Sequence, residues 1–282
     1  MAKLSVRLFL LKRYLHYYWR AQTRHDVHSP FLATVVENIL EDTRTFYAFP
    51  IIEGLRERLA SSQTIVQTVD YGAGSKVKAT QARTIRSLTQ GAAISATVGQ
   101  QLFRAVLHFK PKTILELGTS LGISSLYLAA AAPHARMITI EGCPQTARLA
   151  AQNFDALSTP HIQLLNAPFA AALPKALEQL KQVDLCYIDG DHQRESTLVY
   201  VRTILPYLHP KSVLIIADIN WSEEMVSAWE KLKELPIVSR SMELYHYGML
   251  FFDEAATHPQ HLTAIPAWQK PWRLGFWGKK AI

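Results

Sequence analysis

Residues 113–125, TILELGTSLGISS, constrain the fold of this chain more than any other stretch. An apolar, β-favouring segment carries one acid, Glu116, and is followed by a Gly-x-x-x-Gly turn and a second apolar segment. This order predicts a buried strand, a tight loop and a helix N-terminus, which together form a nucleotide-sized crevice at the carboxyl edge of an α/β sheet. Gly118 and Gly122 have no Cβ and should let the backbone approach a ligand. Ser120 stands where a dinucleotide-binding loop needs its second glycine, so we expect a nucleoside without phosphates.

From residue 93 onward, short apolar segments alternate with helical patterns. Strands are predicted over residues 113–117, 137–141, 162–165, 185–188 and 212–217, and helices over 99–109, 122–131, 145–156, 169–181, 195–208 and 223–235. This alternation is typical of a parallel sheet that is covered on both faces. Residues 237–244 and 247–252 are joined by too few residues for a helical crossover, which predicts an antiparallel hairpin at the sheet edge. The fold class is therefore α/β: a Rossmann-like, doubly wound, mostly parallel sheet of seven strands.

The N-terminal segment is predicted to be a helical cap. Leucines and a tyrosine recur at helical spacing over residues 3–22, with basic residues on the other faces. We interpret this basic amphipathic helix as a cap that packs on the domain or on a second subunit, and keep a membrane-surface helix as the alternative. Ser29 and Pro30 predict the start of a second helix that runs to about residue 40. The glycine-rich residues 70–75, DYGAGS, are interpreted as a loop over the active site.

Three regions follow from these patterns. Residues 1–92 form the helical cap and substrate-covering segment, residues 93–252 the ligand-binding domain, and residues 253–282 a C-terminal tail. The tail contains Trp268, Trp272 and Trp277, which we expect to anchor it rather than to form a ligand cage.

The charge distribution bears on the class of partner. The formal net charge of the chain is +7, of which residues 1–30 carry +5 and residues 253–282 carry +2. The net charge of residues 31–252 is therefore zero. A neutral main domain is not expected to bind nucleic acid, which would need clustered Lys and Arg. The two cysteines, Cys143 and Cys186, have no CxxC spacing and favour a reducing compartment. Because the apolar run at residues 6–11 is too short for a signal peptide or membrane span, we predict a cytoplasmic protein.

An acid ends the second strand of the alternating region. Glu141 lies 141 − 118 = 23 residues after Gly118, close to the spacing of about 20 at which an acid binds ribose in nucleotide-binding βαβ units. A carboxylate accepts hydrogen bonds from both the 2′ and the 3′ hydroxyl. We therefore expect Glu141 to bind the ribose of the ligand.

Polar side chains also follow two later strands. Asp189, Asp191 and His192 come after the strand at residues 185–188, and Asp218 comes after the strand at residues 212–217. Because the carboxyl ends of parallel strands meet at one edge, these side chains should converge near the ligand. The acids are suited either to hold a divalent cation or to raise one another's pKa until one acts as a general base. His192 is a second candidate base, because the ordinary pKa of histidine, about 6.5, suits proton removal at neutral pH.

These motifs resemble those of the class I S-adenosylmethionine-dependent methyltransferases. The resemblance covers about residues 93–252 and is carried by ILELGTSLGISS, ITIEG, YIDGDH and LIIADINW. Residues 95–129 are similar to the caffeoyl-CoA and catechol O-methyltransferase group. RHDVHSPF and ADINWSEEMVSAW resemble a group of uncharacterised bacterial methyltransferase-like proteins. The resemblance implies S-adenosylmethionine as the cofactor and a small molecule as the methyl acceptor.

Site residues follow by position from the resemblance. The implied cofactor-binding residues are Glu116, Gly118, Thr119, Ser120, Gly122, Glu141, Asn166, Ala167 and Asp189, and the implied catalytic residues are Asp189, Asp191, His192 and Asp218. In the catechol-type enzymes, the equivalents of Asp189 and Asp218 hold magnesium with an Asn directly after the second Asp, and a Lys three positions after the first Asp is the base. Here Ile219 replaces that Asn and His192 replaces that Lys. Mg²⁺ is thus a candidate cofactor, with Asp189, Asp218 and Asn220 as candidate ligands.

The sequence therefore predicts S-adenosylmethionine-dependent O-methylation of a small molecule, with a homodimer as one candidate assembly. Two alternatives stay open: an NAD-dependent oxidoreductase, and a non-enzymatic module that binds S-adenosylmethionine or a membrane surface. Ser120 and the acids after the strands count against the first alternative. The acids and His192 at the predicted ligand site count against the second.

Overall fold

The computed structural model describes residues 2–70, 79–253 and 258–273. The described part of the N-terminal region contains the helices α1 (Ala2–Arg20), α2 (Pro30–Val35), α3 (Ala48–Ser61) and α4 (Ile85–Ala92), and the strands β1 (Ile65–Asp70) and β2 (Ala79–Thr84). A π-helical turn, Val36–Leu40, continues α2, so the helix that was predicted from Pro30 does extend to Leu40. The predicted loop at residues 70–75 falls, after Asp70, outside the described residues.

The region after residue 92 alternates as predicted. Its elements are α5 (Ala96–Phe109), β3 (Thr113–Leu117), α6 (Ile123–Ala131), β4 (Arg136–Glu141), α7 (Pro144–Ala156), β5 (Ile162–Asn166), α8 (Phe169–Leu180), β6 (Leu185–Ile188), α9 (Arg194–Ile204), β7 (Val213–Ala217), α10 (Glu223–Lys233), β8 (Arg240–Leu244), β9 (Tyr247–Phe251) and β10 (Gln260–Thr263).

The central sheet confirms the predicted fold class. Its strand order is β10-β8-β9-β7-β6-β3-β4-β5. Strands β5, β4, β3, β6 and β7 are parallel to one another, and β9 runs antiparallel to both β7 and β8. The predicted hairpin is present, but it does not form the edge, because β10 pairs in parallel with β8 and adds an eighth strand. The sequence of β10, QHLT, is short and polar, so no apolar pattern marked it as a strand.

Both faces of the sheet are buried, because neighbouring residues of each strand point to opposite faces. In β3, Ile114 packs with Leu102 of α5 in one buried cluster. Leu115 packs with Leu177 of α8 and Trp229 of α10 in a second cluster. Sequence-adjacent apolar residues therefore serve separate cores, which explains why the strand reads as a continuous apolar run.

The N-terminal segment is not wholly helical, which corrects the predicted helical cap. β1 and β2 form an antiparallel hairpin, in which Ile65 pairs with Thr84. The strand β2, ATQART, is polar and carries no apolar alternation, so the sequence did not mark it. The boundary at residue 92 stays a prediction.

Helix α1 packs against the C-terminal segment. The Tyr17 hydroxyl donates to the carbonyl of Ala264, and Gln22 forms a parallel bridge with the same residue. Ile265 is fully buried in a cluster with Tyr17 and Ala21. Among the described residues, no helix has both the length and the apolar character that crossing a bilayer requires.

Candidate active site

Four neighbouring parallel strands end at one edge of the sheet and open into a shared cavity. Glu141 ends β4, Gly118 follows β3, Asp189 follows β6 and Asp218 follows β7. All four residues line a cavity of about 800 Å³, a volume within the range of small-molecule and cofactor sites. The sequence prediction of a ligand crevice at this edge therefore agrees with the geometry.

The loop after β3 is shaped by its contacts with the neighbouring strands. Ser120 adopts a left-handed backbone conformation with φ of 50°, and its amide donates to Oε2 of Glu141 at 2.7 Å. The amide of Cys143 donates to Oε1 of the same carboxylate at 2.9 Å. Burial raises the pKa of Glu141, and these two amides oppose that rise. The Glu141 carboxylate is thus fixed in the cavity wall, and each oxygen can accept another hydrogen bond.

His192 lies between two carboxylates. Its Nε2 atom is 3.8 Å from Oδ1 of Asp189 and 3.7 Å from Oδ2 of Asp218. The hydroxyl of Tyr187 donates to Oδ2 of Asp189 at 3.0 Å, which fixes that carboxyl group from the strand side. Burial raises the pKa of Asp189 to about 6; His192 opposes this rise and Asp218 adds to it. The Tyr187 hydroxyl and the His192 imidazole therefore favour the ionised form of Asp189, against the effect of burial.

The backbone at this cluster is strained. Asp191, His192 and Asp218 have φ values of 64°, 22° and 53°, which side chains other than glycine rarely adopt. Such conformations cost of order 1–3 kcal/mol each and concentrate at functional sites. Asp191 also lines the cavity and accepts a hydrogen bond from the Tyr200 hydroxyl at 2.8 Å.

The described lining of the cavity carries acids but neither Lys nor Arg. Its carboxylates are Glu141, Asp189, Asp191 and Asp218, and its histidines are His192 and His246. Burial lowers the pKa of His246, and Asp218 opposes this effect. A cavity whose described lining contains carboxylates without Lys or Arg favours a neutral or positively charged ligand over one with phosphates.

The N-terminal region contributes part of the cavity wall. Val69 of β1 and residues 91–92, at the end of α4, line it, as do Ile94 and Ser95 before α5. Residues 1–92 therefore contribute side chains and backbone to the wall, while their role in covering the site stays a prediction. Trp221 and Tyr247 line it from the other side. Sequence reasoning missed Val69, Ile94 and Tyr247, because none of them stands at a strand end or in a polar motif.

Several residues that were expected to bind the cofactor do not line the cavity. Glu116 and Thr119 are buried in the interior, and Thr119 Oγ1 lies 2.6 Å from Thr139 Oγ1. Asn166 donates to the carbonyl of Glu141 at 2.7 Å and so ties β5 to β4. Gly122 and Ala167 are also outside the lining. The structure therefore gives these five residues positions behind or beside the cavity wall.

Glu116 is the most deeply placed of these residues. It is fully buried, and its Oε2 accepts hydrogen bonds from the hydroxyls of Ser125 and Thr139. Burial raises the pKa of Glu116 to about 7, although the neighbouring hydroxyls lower it. Glu116 thus joins β3, β4 and α6 from inside the fold.

Asn220 is not placed to be a metal ligand. Its Oδ1 accepts two hydrogen bonds from the guanidinium of Arg13, at 3.0 and 2.6 Å, and its Nδ2 donates to the carbonyl of Tyr245. Among the described residues, Asp189, His192 and Asp218 offer ligand atoms that lie within 4.8 Å of one another. The Asn220 oxygen is thus already used in other hydrogen bonds, and His192 lies beside the two carboxylates that the sequence predicted as ligands.

The family model described as "Methyltransferase domain" matches residues 115–219, a range that contains all four strand ends of the cavity. The matched range holds Gly118, Glu141, Asp189, His192 and Asp218, whereas α1 and strands β8 to β10 lie outside it.

A catechol O-methyltransferase from Niastella koreensis is 33% identical to this chain over 131 residues. The match covers 45% of this chain and 58% of that protein, so the chain spans less than two thirds of its relative's length.

Two solved structures share the fold of this chain. The methyltransferase of Podospora anserina, solved with S-adenosylhomocysteine, matches with a TM-score of 0.56 and 14% identity, over 81% of this chain and 97% of that one. The O-methyltransferase of Bacillus cereus, solved in complex with S-adenosylhomocysteine, matches with a TM-score of 0.53 and 16% identity, over 78% of this chain and 97% of that one. At this level of identity the likeness concerns the fold.

Proposed function

We propose that this chain is an S-adenosylmethionine-dependent O-methyltransferase that acts on a small molecule with a hydroxyl group. The observation that carries the proposal is the placement of His192 between Asp189 and Asp218 at the sheet edge that also presents Glu141. This edge lies in the range that the methyltransferase family model matches. The catechol O-methyltransferase relative supports the choice of an oxygen acceptor.

The volume and the charge of the cavity suit this cofactor. Glu141 would accept hydrogen bonds from the ribose hydroxyls, with Gly118 and Ser120 along the nucleoside. When bound, S-adenosylmethionine supplies a methyl group on a positively charged sulfonium. The carboxylates of the described lining, without Lys or Arg among them, suit that positive charge. An NAD pyrophosphate would instead bring negative charges into the same acidic cavity, which counts against the oxidoreductase alternative.

His192 is the residue best placed to activate the acceptor. Its Nε2 would take the proton of the acceptor hydroxyl, and the electron pair of the broken O–H bond would stay on the oxygen that forms the new bond to the methyl carbon. The bond between that carbon and the sulfonium sulfur would break in the same displacement, and its electron pair would leave with the sulfur of S-adenosylhomocysteine. Asp189 and Asp218, within 3.8 Å, would stabilise the imidazolium that results. Asp191 is already hydrogen-bonded to Tyr200, so we assign the base to His192 rather than to Asp191.

Positioning supplies much of the rate in a reaction of this kind. Phe169, Tyr247 and Trp221 line the cavity and give it apolar walls beside the acids. These rings would hold a planar acceptor and exclude water from the reacting oxygen. The acceptor that fits best is therefore a small aromatic molecule with a hydroxyl group.

As an alternative to the base role of His192, the same cluster fits a divalent cation. Asp189, His192 and Asp218 would hold the ion with two carboxylates and one imidazole. A bound cation would lower the pKa of a coordinated hydroxyl and so replace the base in activating the acceptor. The imidazole makes the donor set better suited to transition metals such as Zn²⁺ than to Mg²⁺, which prefers oxygen ligands.

The proposal is tested by methyl transfer from isotopically labelled S-adenosylmethionine to a panel of catechols and phenols, read by mass spectrometry. His192→Ala should lower kcat by about 100-fold or more, and Asp218→Asn should lower it as well. His134→Ala is the matched control, because His134 is exposed and outside the cavity lining.

Two outcomes contradict the proposal. One is a His192→Ala variant with the turnover of the unaltered protein on an accepted substrate, which would remove the assigned base. The other is the absence of methyl transfer to every hydroxyl compound, with transfer to nitrogen or sulfur acceptors instead.

A further inference from the structure

One face of helix α1 carries large apolar side chains that are exposed. Leu8, Leu11 and Leu15 are 46–54% exposed, and Trp19 is 78% exposed. Their spacing of three or four residues puts the four side chains on the same side of the helix. We call this set the outer stripe. Apolar side chains that lie together on a helix surface indicate a binding surface more strongly than single exposed ones do.

The outer stripe is not the result of a loosely attached helix. The other side of α1 is fixed to the domain by Tyr17, which is buried. Arg13 reaches Asn220, and the Tyr245 hydroxyl donates to the carbonyl of Leu10 at 3.0 Å. α1 therefore has two apolar faces, of which one packs on the protein and the other faces outward.

Basic side chains border the outer stripe. Arg7 precedes Leu11 by four residues and Lys12 follows Leu8 by four residues, and both are exposed. The sequence of α1, AKLSVRLFLLKRYLHYYWR, contains no acid. Residues 1–30 hold +5 of the formal charge of +7. The partner of this face should therefore combine an apolar layer with negative charge.

Aromatic side chains of the C-terminal segment extend this surface. Trp272 is exposed and its ring contacts Tyr18 of α1, with 6.1 Å between the ring centroids. Tyr18 is further tied to this segment by a hydrogen bond to the carbonyl of Gln269. Exposed tryptophans beside leucines and basic residues are typical of helices that lie at the headgroup level of a bilayer. We expected Trp268, Trp272 and Trp277 to anchor the tail: the Trp272 ring contacts α1 through Tyr18, Trp268 is exposed, and Trp277 lies outside the described residues.

We propose that α1 binds the surface of a membrane that contains anionic lipids. The outer stripe enters the boundary between headgroups and acyl chains, and Arg7 and Lys12 contact the lipid phosphates. A second copy of this chain is a poorer partner for the stripe. A symmetric dimer would bring the basic borders of two α1 helices together, and α1 has no acid to compensate them. The helix lies on the membrane rather than across it.

The test is co-sedimentation of the full chain with vesicles of phosphatidylcholine alone or mixed with phosphatidylserine. The unaltered protein should bind the mixed vesicles, and raised salt should weaken the binding. Leu11→Ser/Leu15→Ser/Trp19→Ser should lower the bound fraction by about tenfold or more. Arg7→Gln/Lys12→Gln should have a similar effect on the mixed vesicles.

Matched controls change equally exposed residues elsewhere. Ile51→Ser/Val199→Ser/Ile237→Ser removes three exposed apolar side chains, and Lys175→Gln/Lys231→Gln removes two exposed charges. Both controls should bind like the unaltered protein. Because the altered side chains are exposed, all variants should keep their circular dichroism spectra.

Three outcomes overturn the proposal: no binding of the unaltered protein to mixed vesicles, full binding by the stripe variant, or an equal loss in the controls. A concentration-dependent dimer that the stripe variant loses, without vesicle binding, would assign the face to a second copy instead. None of these readouts depends on methyl transfer, so the proposed function can fail separately.

Discussion

Gly118 and Asp189 are in such close contact that a Cβ atom on Gly118 would lie 1.9 Å from the carbonyl oxygen of Asp189. Gly118 also has φ of +100°, which favours glycine. The two residues follow the adjacent strands β3 and β6, and the amide of Asp189 donates to the carbonyl of Leu117 at 2.8 Å. The glycine is therefore required by the packing of two strand ends.

This contact predicts a large loss of stability for Gly118→Ala. The clash involves backbone on both sides and cannot be relieved by a rotamer change, so the free energy of unfolding should fall by about 3 kcal/mol or more. Chemical denaturation gives the value. Gly54→Ala is the control, because nothing lies within 4 Å of a Cβ there and alanine favours the helix by about 0.5–1 kcal/mol. A Gly118→Ala variant as stable as the unaltered protein would contradict this interpretation.

Glu116 should make the stability of the fold depend on pH. Burial raises the pKa of Glu116 from 4.5 to about 7. Between these two values the folded state binds more protons than the unfolded state. Ionising the buried carboxyl group of Glu116 therefore lowers the free energy of unfolding as the pH rises from 4.5 to about 7. Above about pH 7 this loss of stability stays constant.

The variant Glu116→Gln removes this penalty while it keeps an oxygen for Ser125 and Thr139. Its free energy of unfolding should exceed that of the unaltered protein by up to about 3 kcal/mol at about pH 8, and by much less at about pH 5. Denaturant titrations at both pH values measure the difference. Glu178→Gln, at an exposed position, should change neither value. If the Glu116→Gln variant is less stable than the unaltered protein at the higher pH, the buried charge of Glu116 does not destabilise the fold and the prediction is wrong.

The ligand set of Asp189, His192 and Asp218 predicts a preference among cations. Zn²⁺ should bind more tightly than Mg²⁺ in calorimetric titrations, because one of the three ligands is an imidazole. His192→Ala should lower the affinity for Zn²⁺ by about tenfold or more and leave that for Mg²⁺ nearly unchanged. Asp218→Asn should weaken both, and His134→Ala neither. Equal Zn²⁺ affinities of His192→Ala and the unaltered protein would remove His192 from the set.

The sequence predicted the features that depend on local pattern. The strand ends at Gly118, Glu141, Asp189 and Asp218 could be placed, because parallel strands of an α/β sheet direct their carboxyl ends to one edge. The orientation of the Glu116 side chain could not be predicted, because a strand that is buried on both faces has no polar alternation to show which way an acid points. The acid is turned inward, to hydroxyls of β4 and α6.

Contacts between residues that are far apart in the chain could not be predicted from the sequence either. Asn220 is held by Arg13, 207 positions away, so nothing near Asn220 shows that its oxygen is already used. The approach of His192 to Asp218 depends on left-handed backbone at both residues, which no residue type there requires. The strand β10 was missed because pairing with β8, rather than apolar character, holds it in the sheet.

The central claim, that the cavity binds S-adenosylmethionine through Glu141, is tested most directly by calorimetry with S-adenosylhomocysteine. The unaltered chain and the exposed-site control Glu178→Gln should bind with the same affinity, and Glu141→Ala should bind about tenfold or more weakly, because two ribose hydrogen bonds are lost. NAD should give no heat of binding. If the unaltered chain takes up no S-adenosylhomocysteine, or if Glu141→Ala binds it as tightly as the unaltered chain does, the account is contradicted.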